Sequence, residues 1–258
     1  MLSDRPTVLC LSGHDPGGGA GLQADIEAIA AQGAHVLGFI TAHTVQDTRD
    51  VARVLVANPE LLRQQVDAVL ADSRPAAIKI GLLGDAATAR YAANLIRRLG
   101  VPSVVDPVLR AGGGAELAND ALVEALRREL LPLATLVTPN AAEARKLVPE
   151  ADTLDGCGAA LLAAGTENVL ITGGDEPGDV VINHWHSRDH AVRRFAWPRV
   201  NGAFHGAGCT LAAAAAALLA RKLPMAEALA DAQAYVHHSL QHAHAPGQGR
   251  RVPGRIHR

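Results

Sequence analysis

Three cysteines in 258 residues, Cys10, Cys157 and Cys209, are too few and of the wrong parity for a disulfide framework, and they point to a reducing compartment. Aromatic residues are scarcer still, at 3%. That scarcity excludes a stacking platform for nucleic acid and leaves a core of Ala, Leu, Val and Ile. Charge of one sign is also lacking: the net charge is −2, and no basic run stands out before the C-terminal segment. A surface for nucleic acid or anionic membrane is therefore not expected, and any bound anion must be held locally by backbone amides and a few side chains. The longest apolar run, 211–220, is about half a membrane span. The stretch 1–6 is polar and the apolar run 8–11 is too short for a secretion signal, so the expected location is the cytoplasm. There is no internal repeat and no linker. The reading is one domain over 1–258, with the Gly/Pro/Arg-rich residues from 246 onward as a loose tail whose Arg250, Arg251, Arg255 and Arg258 form a solvated end.

What is present is an alternation of strand-like and helix-like stretches. Residues 7–12, 36–42, 77–80, 103–106, 135–138 and 168–172 read as strands. Helices are expected over 22–32, with Leu22, Ile26 and Ile29 on one face, and from Asn58-Pro59, a cap followed by a first-turn proline. Asp85, Asn119 and Asn140 each cap a further helix, with Gly100 closing the Asp85 helix and Leu130 ending the Asn119 helix. Residues 155–165 read as helical, 180–185 and 191–196 as an antiparallel pair, and 208–222 and 225–243 as two closing helices. Repeated strand–helix units imply an α/β fold: a mainly parallel sheet with helices on both faces and a small antiparallel edge. Ligands in such sheets sit beyond the carboxyl ends of the strands. That rule selects Ser12-Gly13-His14-Asp15, Thr44-Val45-Gln46-Asp47, Gly81-Leu82, Asp106-Pro107, Thr138-Pro139-Asn140, Thr172-Gly173-Gly174 and the loop before Gly208.

Three of these segments carry chemistry. In His205-Gly206-Ala207-Gly208-Cys209-Thr210 the small residues let a ligand approach the backbone. The following helix aims free N–H groups and its positive end at that ligand, which suits a phosphoryl group in flight. Cys209 stands in the first turn, where a thiol pKa tends to fall. It would act as a base toward a substrate hydroxyl or only position it; the plain alternative is a tight loop with a small buried residue. The second segment, Gly13 to Gly21, fails the dinucleotide fingerprint because the sixth position counted from Gly17 is Leu22, and it lacks the Lys-Ser/Thr of a Walker loop. It reads either as a glycine loop over a small ligand or as a strand-to-helix turn, with Asp25 a first-turn carboxylate. In the third, Asn140 and Glu143 share one side of a first turn, as Mg²⁺ ligand and neighbour or simply as a cap with an acidic third residue. Asp106 is a second carboxylate of the same kind. The histidines of the last helix, His237, His238, His242 and His244, lack the spacing of a metal motif, and His184 and His186 read as two solvated residues on one strand face.

Taken together and in order, the segments resemble the bacterial hydroxymethylpyrimidine/phosphomethylpyrimidine kinases of thiamine biosynthesis, in the ribokinase-like superfamily. Gly13 to Asp25 is similar to the signature G-x-D-P-S-G-G-A-G-I-Q-A-D, and 41–48 contains the glutamine Gln46. Lys79 to Leu83, Asp106-Pro107-Val108, Thr138-Pro139-Asn140 with Glu143-Ala144, and Gly173-Gly174 each match a family segment. His205 to Thr210 is similar to G-T-G-C-T, with Cys209 where most of the superfamily carries aspartate. The resemblance implies a ribokinase-like fold and two steps at one site that use ATP and Mg²⁺. The hydroxymethyl group of 4-amino-5-hydroxymethyl-2-methylpyrimidine is phosphorylated first, then the monophosphate becomes the diphosphate. It implies that Gln46, Gly13, Ala20, Asp25 and Leu82 bind the pyrimidine, and that Gly206, Ala207, Gly208 and Cys209 serve the transfer. Asn140, Thr172 and Gly174 would hold the nucleotide, Glu143 and Asp106 the metal, and the protein would be a homodimer.

The sequence departs from the family at Gly17 in place of Ser, Leu82 in place of Met, and Thr172 in place of a Lys. Arg110 to Gly114 replaces a Lys-Ser-Gly. Lost cations bear on the second phosphorylation more than the first, because the monophosphate brings extra negative charge. The rival readings are a pyridoxal kinase of the same superfamily and, from a different class, a non-catalytic ligand-binding protein on this fold. Gln46 and the N-terminal signature favour the pyrimidine; Cys209, the loop glycines and Glu143 favour catalysis.

Overall fold

The computed structural model describes residues 5–256. Arg258 of the basic tail lies outside them, as does most of the polar stretch 1–6. Among the described residues nine strands share one sheet in the order β3-β2-β1-β4-β5-β6-β7-β8-β9. The parallel centre comprises β2 (His35–Gln46), β1 (Thr7–His14), β4 (Ala77–Ile80), β5 (Ser103–Val105), β6 (Leu136–Val137) and β7 (Asn168–Ile171). An antiparallel strand, β3 (Val51–Val56), borders it on one side. An antiparallel pair, β8 (Val180–Ser187) and β9 (Arg193–Pro198), borders it on the other.

Helices cover both faces because the central strands are apolar on both sides. Val8 and Cys10 face one core cluster with α1 (Gly21–Ala31), α7 (Ala207–Ala220) and α8 (Met225–Gln241). Leu9 and Leu11 face the other, with α2 (Pro59–Asp72), α3 (Ala86–Leu99), α4 (Asp120–Ala125), α5 (Ala141–Leu147) and α6 (Leu154–Ala164). Every residue of α7 from Thr210 to Ala220 is buried. Its alanines combine high helix propensity with small volume, so the helix lies close against the sheet, α1 and α8. The caps work as the local pattern requires. Asn58 accepts from the N–H groups of Glu60 and Leu61, Asp85 from Thr88, Asn119 from Leu122 and Asn140 from Glu143.

Four expectations are corrected. The expected helix from Asn119 to Leu130 is α-helical only to Ala125, then widens into a π-helical turn over Leu126–Leu130 before Pro132. Strand β3 was not expected at all: it pairs with an extension of β2 that reaches Gln46, outside the helical layers. His186 is buried, not solvated, and His184 is half-buried. The segment from 246 is not loose. Arg251 and His205 exchange strand-like bonds with Ala203 and Arg251, Val252 pairs with His244, and Arg255 is only 1% exposed. Its hydrogen bonds to Gly18, Gly19 and Glu27 run to residues 228 to 237 positions away, and a Gly/Pro-rich composition carries no sign of such partners.

Candidate functional site

The carboxyl ends of β1, β2, β4, β5, β6 and β7 open into one cavity of about 720 Å³, a size suited to a small molecule with a nucleotide. Its first wall is the glycine loop after β1. Asp15, nearly buried, accepts from the backbone N–H of Gly17 at 2.8 Å and of Ala20 at 2.9 Å, and lies 2.9 Å from His205 Nε2. Burial raises the Asp15 pKa, but these bonds and one from Gln46 outweigh it and bring it down to about 2. A single carboxylate therefore joins the loop, the β2 glutamine and the approach to α7. Gly13, Ala20, Gln46 and Leu82 line this end of the cavity.

The second wall is the start of α7. Gly206 has φ +90°, and a Cβ there would stand 1.9 Å from the carbonyl oxygen of Gly19, so only glycine lets the loop and the helix meet. Arg255 fastens the junction. It donates to Thr210 Oγ1 at 2.8 Å, to Glu27 at 3.0 Å and to the carbonyls of Gly18 and Gly19. Gly206, Ala207, Gly208 and Cys209 face the cavity with the free N–H groups of the first turn of α7.

Beneath lies a buried charge cluster. Lys79 Nζ is 2.8 Å from Asp25 Oδ1, 2.9 Å from Oδ2 and 3.1 Å from Ser12 Oγ. Asp25 is fully buried and does not line the cavity; the sequence reading put it on the pocket wall, whereas it is the counter-ion of Lys79, which does line it. Burial alone would lower the lysine's pKa, but Asp25, Cys209 and Asp106 raise it, so Lys79 is a permanent cation. Cys209 is corrected too. Burial pushes its thiol up to about 12, with Asp106 and Asp25 adding to the effect against the pull of Lys79. The helix start does not make it a thiolate. It is a protonated thiol hydrogen-bonded to Asp106, with the Gly21 N–H turned toward its sulfur.

The third wall carries Asp106, Asn140, Glu143, Thr172 and Gly174. Asn140 and Glu143 form a reciprocal cap: Asn140 Oδ1 accepts from Glu143 N at 2.8 Å and Glu143 Oε2 from Asn140 N at 3.0 Å. Glu143 Oε1 also accepts from Leu109 N. Burial pushes the carboxyls of Asp106 and Glu143 up, and the charge of Asp106 pushes Glu143 further. The Thr138 hydroxyl beside them is buried and has no hydrogen-bond partner among the described residues. Two buried carboxylates with an unpartnered hydroxyl fit a hydrated Mg²⁺. Arg199 borders this wall, donating to the Gly174 carbonyl at 2.8 Å. Arg250 reaches the cavity from the C-terminal segment and packs over Gly112.

All the residues expected from the sequence except Asp25 thus share one cavity. Those missed are Asp15, Lys79, Arg199, Arg250 and Arg255. The first two stood within quoted segments, but their roles depend on partners distant in sequence. The three arginines carry no local signal.

The family model described as Phosphomethylpyrimidine kinase matches residues 15–253. A hydroxymethylpyrimidine/phosphomethylpyrimidine kinase of Rhizobium meliloti is 39% identical, with 97% of each chain covered. Its counterpart in Salmonella typhimurium is 38% identical, over 93% of this chain and 92% of the relative. Among solved structures, a Staphylococcus aureus pyridoxal kinase in complex with AMP-PCP and pyridoxal superposes with a TM-score of 0.88 at 25% identity, covering 97% of this chain and 94% of that one. A phosphomethylpyrimidine kinase of Clostridium difficile superposes with a TM-score of 0.78 at 28% identity, covering 90% and 98%.

Proposed function

The chain belongs to the phosphomethylpyrimidine kinase family, and from that membership we propose that at this cavity it phosphorylates 4-amino-5-hydroxymethyl-2-methylpyrimidine and then its monophosphate. ATP is the phosphoryl donor in both steps. The observation that carries this reading is the meeting of a glycine-opened helix start, a buried lysine and Cys209 in one cavity with Gln46, which is joined to the approach of α7 through Asp15. Gln46 is the pyrimidine-facing residue, with Gly13, Ala20 and Leu82 shaping the ring's seat. Gly206, Ala207 and Gly208 receive the transferring phosphoryl group on backbone N–H groups. Asn140, Thr172 and Gly174 serve the nucleotide phosphates. Arg199, bonded to the Gly174 carbonyl, supplies a cation near the wall where Thr172 replaces the family's Lys, and Arg250 supplies another over Gly112.

In the first step the acceptor oxygen attacks the γ-phosphorus, the bond to the β–γ bridging oxygen breaks, and ADP leaves. In a loose transition state the hydroxyl proton leaves late. A neutral Cys209 thiol that positions the oxygen is then sufficient, with Asp106, to which the thiol is bonded, as the acceptor it leads to. Mg²⁺, held by Glu143 and Asp106, would neutralise phosphate charge. The exposed apolar residues Val45 and Leu55 on the β2–β3 hairpin support a homodimer.

The test is ATP consumption with hydroxymethylpyrimidine, its monophosphate and pyridoxal as separate acceptors, for the wild type and Cys209→Ala. Turnover with both pyrimidines is expected, lowered at least about 100-fold by Cys209→Ala with nucleotide affinity kept. Turnover with pyridoxal alone would establish the rival reading, which the pyridoxal kinase neighbours favour. No turnover with any acceptor would leave a binding protein.

A further inference from the structure

On the outer part of the sheet, away from the cavity, two histidines and a carboxylate converge. His184 and His186 are two apart on β8, so they stand on one face of the strand, with ring planes 14° apart and centroids 6.4 Å apart. Asp155 comes from the first turn of α6, whose N-cap is Thr153. Asp155 Oδ1 lies 2.9 Å from His184 Nδ1 and 3.5 Å from His186 Nε2. The three donor atoms all lie within 4.8 Å of one another. His186 is only 2% exposed, and its Nε2 has no hydrogen-bond partner among the described residues. It is a buried polar atom aimed at the carboxylate without bonding to it, and such atoms ordinarily find a partner.

The surroundings are built to hold this ring. Gly158 of α6 lies directly against His186, and a Cβ there would come within 2.4 Å of the imidazole. Arg194, the β9 partner of His184 in the ladder, takes the other carboxylate oxygen, with Nη2 2.5 Å from Asp155 Oδ2. That leaves Oδ1 alone facing the imidazoles. Asp155 is 43% exposed, so the cluster opens to solvent on one side.

We propose that His184, His186 and Asp155 form a site for a divalent transition metal of the Zn²⁺ class, with water completing the coordination. Two imidazoles and a carboxylate are the donor set of that class. At tetrahedral bond lengths of about 2.0–2.1 Å the donor atoms stand roughly 3.3 Å apart, between the two separations to Asp155. The contact of 2.9 Å widens as the metal replaces the hydrogen bond, and the orphaned Nε2 gains its partner. Asn183, immediately before His184, faces the other side of β8 and lines the active-site cavity, where it accepts from Gly173 N at 3.0 Å. The metal would thus pin the start of α6 to the strand that carries Asn183.

The test uses the full chain without an affinity tag, stripped with EDTA and titrated with Zn²⁺ by calorimetry and with Co²⁺ by visible absorption. One site per chain is expected. The Co²⁺ bands should be those of four- or five-coordinate nitrogen and oxygen ligation, without a thiolate charge-transfer band. His184→Ala and His186→Ala should each weaken Zn²⁺ by more than about 100-fold, beyond the effect typical of an outer partner. Cys209→Ala and the pair His238→Ala and His242→Ala should leave it unchanged. If His186→Ala fails to fold, the half-exposed Asp155→Asn reads the same loss. No saturable binding, binding that survives the histidine variants, or a thiolate band would overturn the site. None of these outcomes depends on the kinase assay.

Discussion

Asp106 shows how one residue's surroundings decide its chemistry. It is 6% exposed, and burial and Asp25 raise its carboxyl above the ordinary range despite Lys79. A carboxyl whose folded pKa is raised contributes stability that is fully present below its unfolded pKa and is lost as pH rises through the folded value. The metal-free protein in EDTA should therefore become less stable relative to Asp106→Asn between about pH 4 and pH 7. A difference of order 2 kcal/mol, roughly 4–8 °C in Tm, is expected, measured by thermal unfolding of both proteins across that range. A parallel pair of curves would show that Asp106 ionises normally. Cys209 carries the same lesson with the sign of the outcome reversed from a local reading. A helix start lowers a thiol pKa only where the field of the helix outweighs burial, and here burial beside two carboxylates wins.

Among the elements, helix starts were the most legible because a cap is a contact between near neighbours. Asn58, Asp85, Asn119 and Asn140 all bond within three positions. The C-terminal segment was the least legible, since its order rests on Arg255 reaching the glycine loop and α7 at once. Removing that guanidinium takes from Thr210 and two loop carbonyls their buried donor and leaves Glu27 with Gln23 alone. Arg255→Ala should cost about 3 kcal/mol, read as a lower urea midpoint. Arg255→Lys should recover little of it, because an ammonium lacks the planar fork that meets four acceptors. A shift below about 0.5 kcal/mol would mean that the segment merely rests on the surface. Strand β3 escaped notice for a related reason: it is an edge strand whose apolar residues are not inside a core, so its pattern had no burial to report.

At the scale of the molecule, the β2–β3 hairpin projects Val45 at 54% and Leu55 at 41% exposure. Val45 pairs with Arg53 and His43 with Leu55, so both apolar residues share one face of the ribbon, and a second copy is the partner proposed to cover it. Sedimentation equilibrium should give a dimer, and Val45→Glu with Leu55→Glu should give a folded monomer with a Kd weakened by at least about 100-fold. A wild-type monomer would refute the proposal.

Composition and period determined the alternating α/β plan and the sheet covered on both faces, because burial writes itself into every strand and helix. The strand-end rule, with the order of the motifs, brought every expected site residue except Asp25 to one cavity. Only the tertiary structure decided the charges. Asp25 became a buried counter-ion, Cys209 stayed a thiol, and His186 acquired a carboxylate neighbour without bonding to it. Ionisation depends on burial and on groups brought close from remote parts of the chain, and neither quantity exists until the chain has folded.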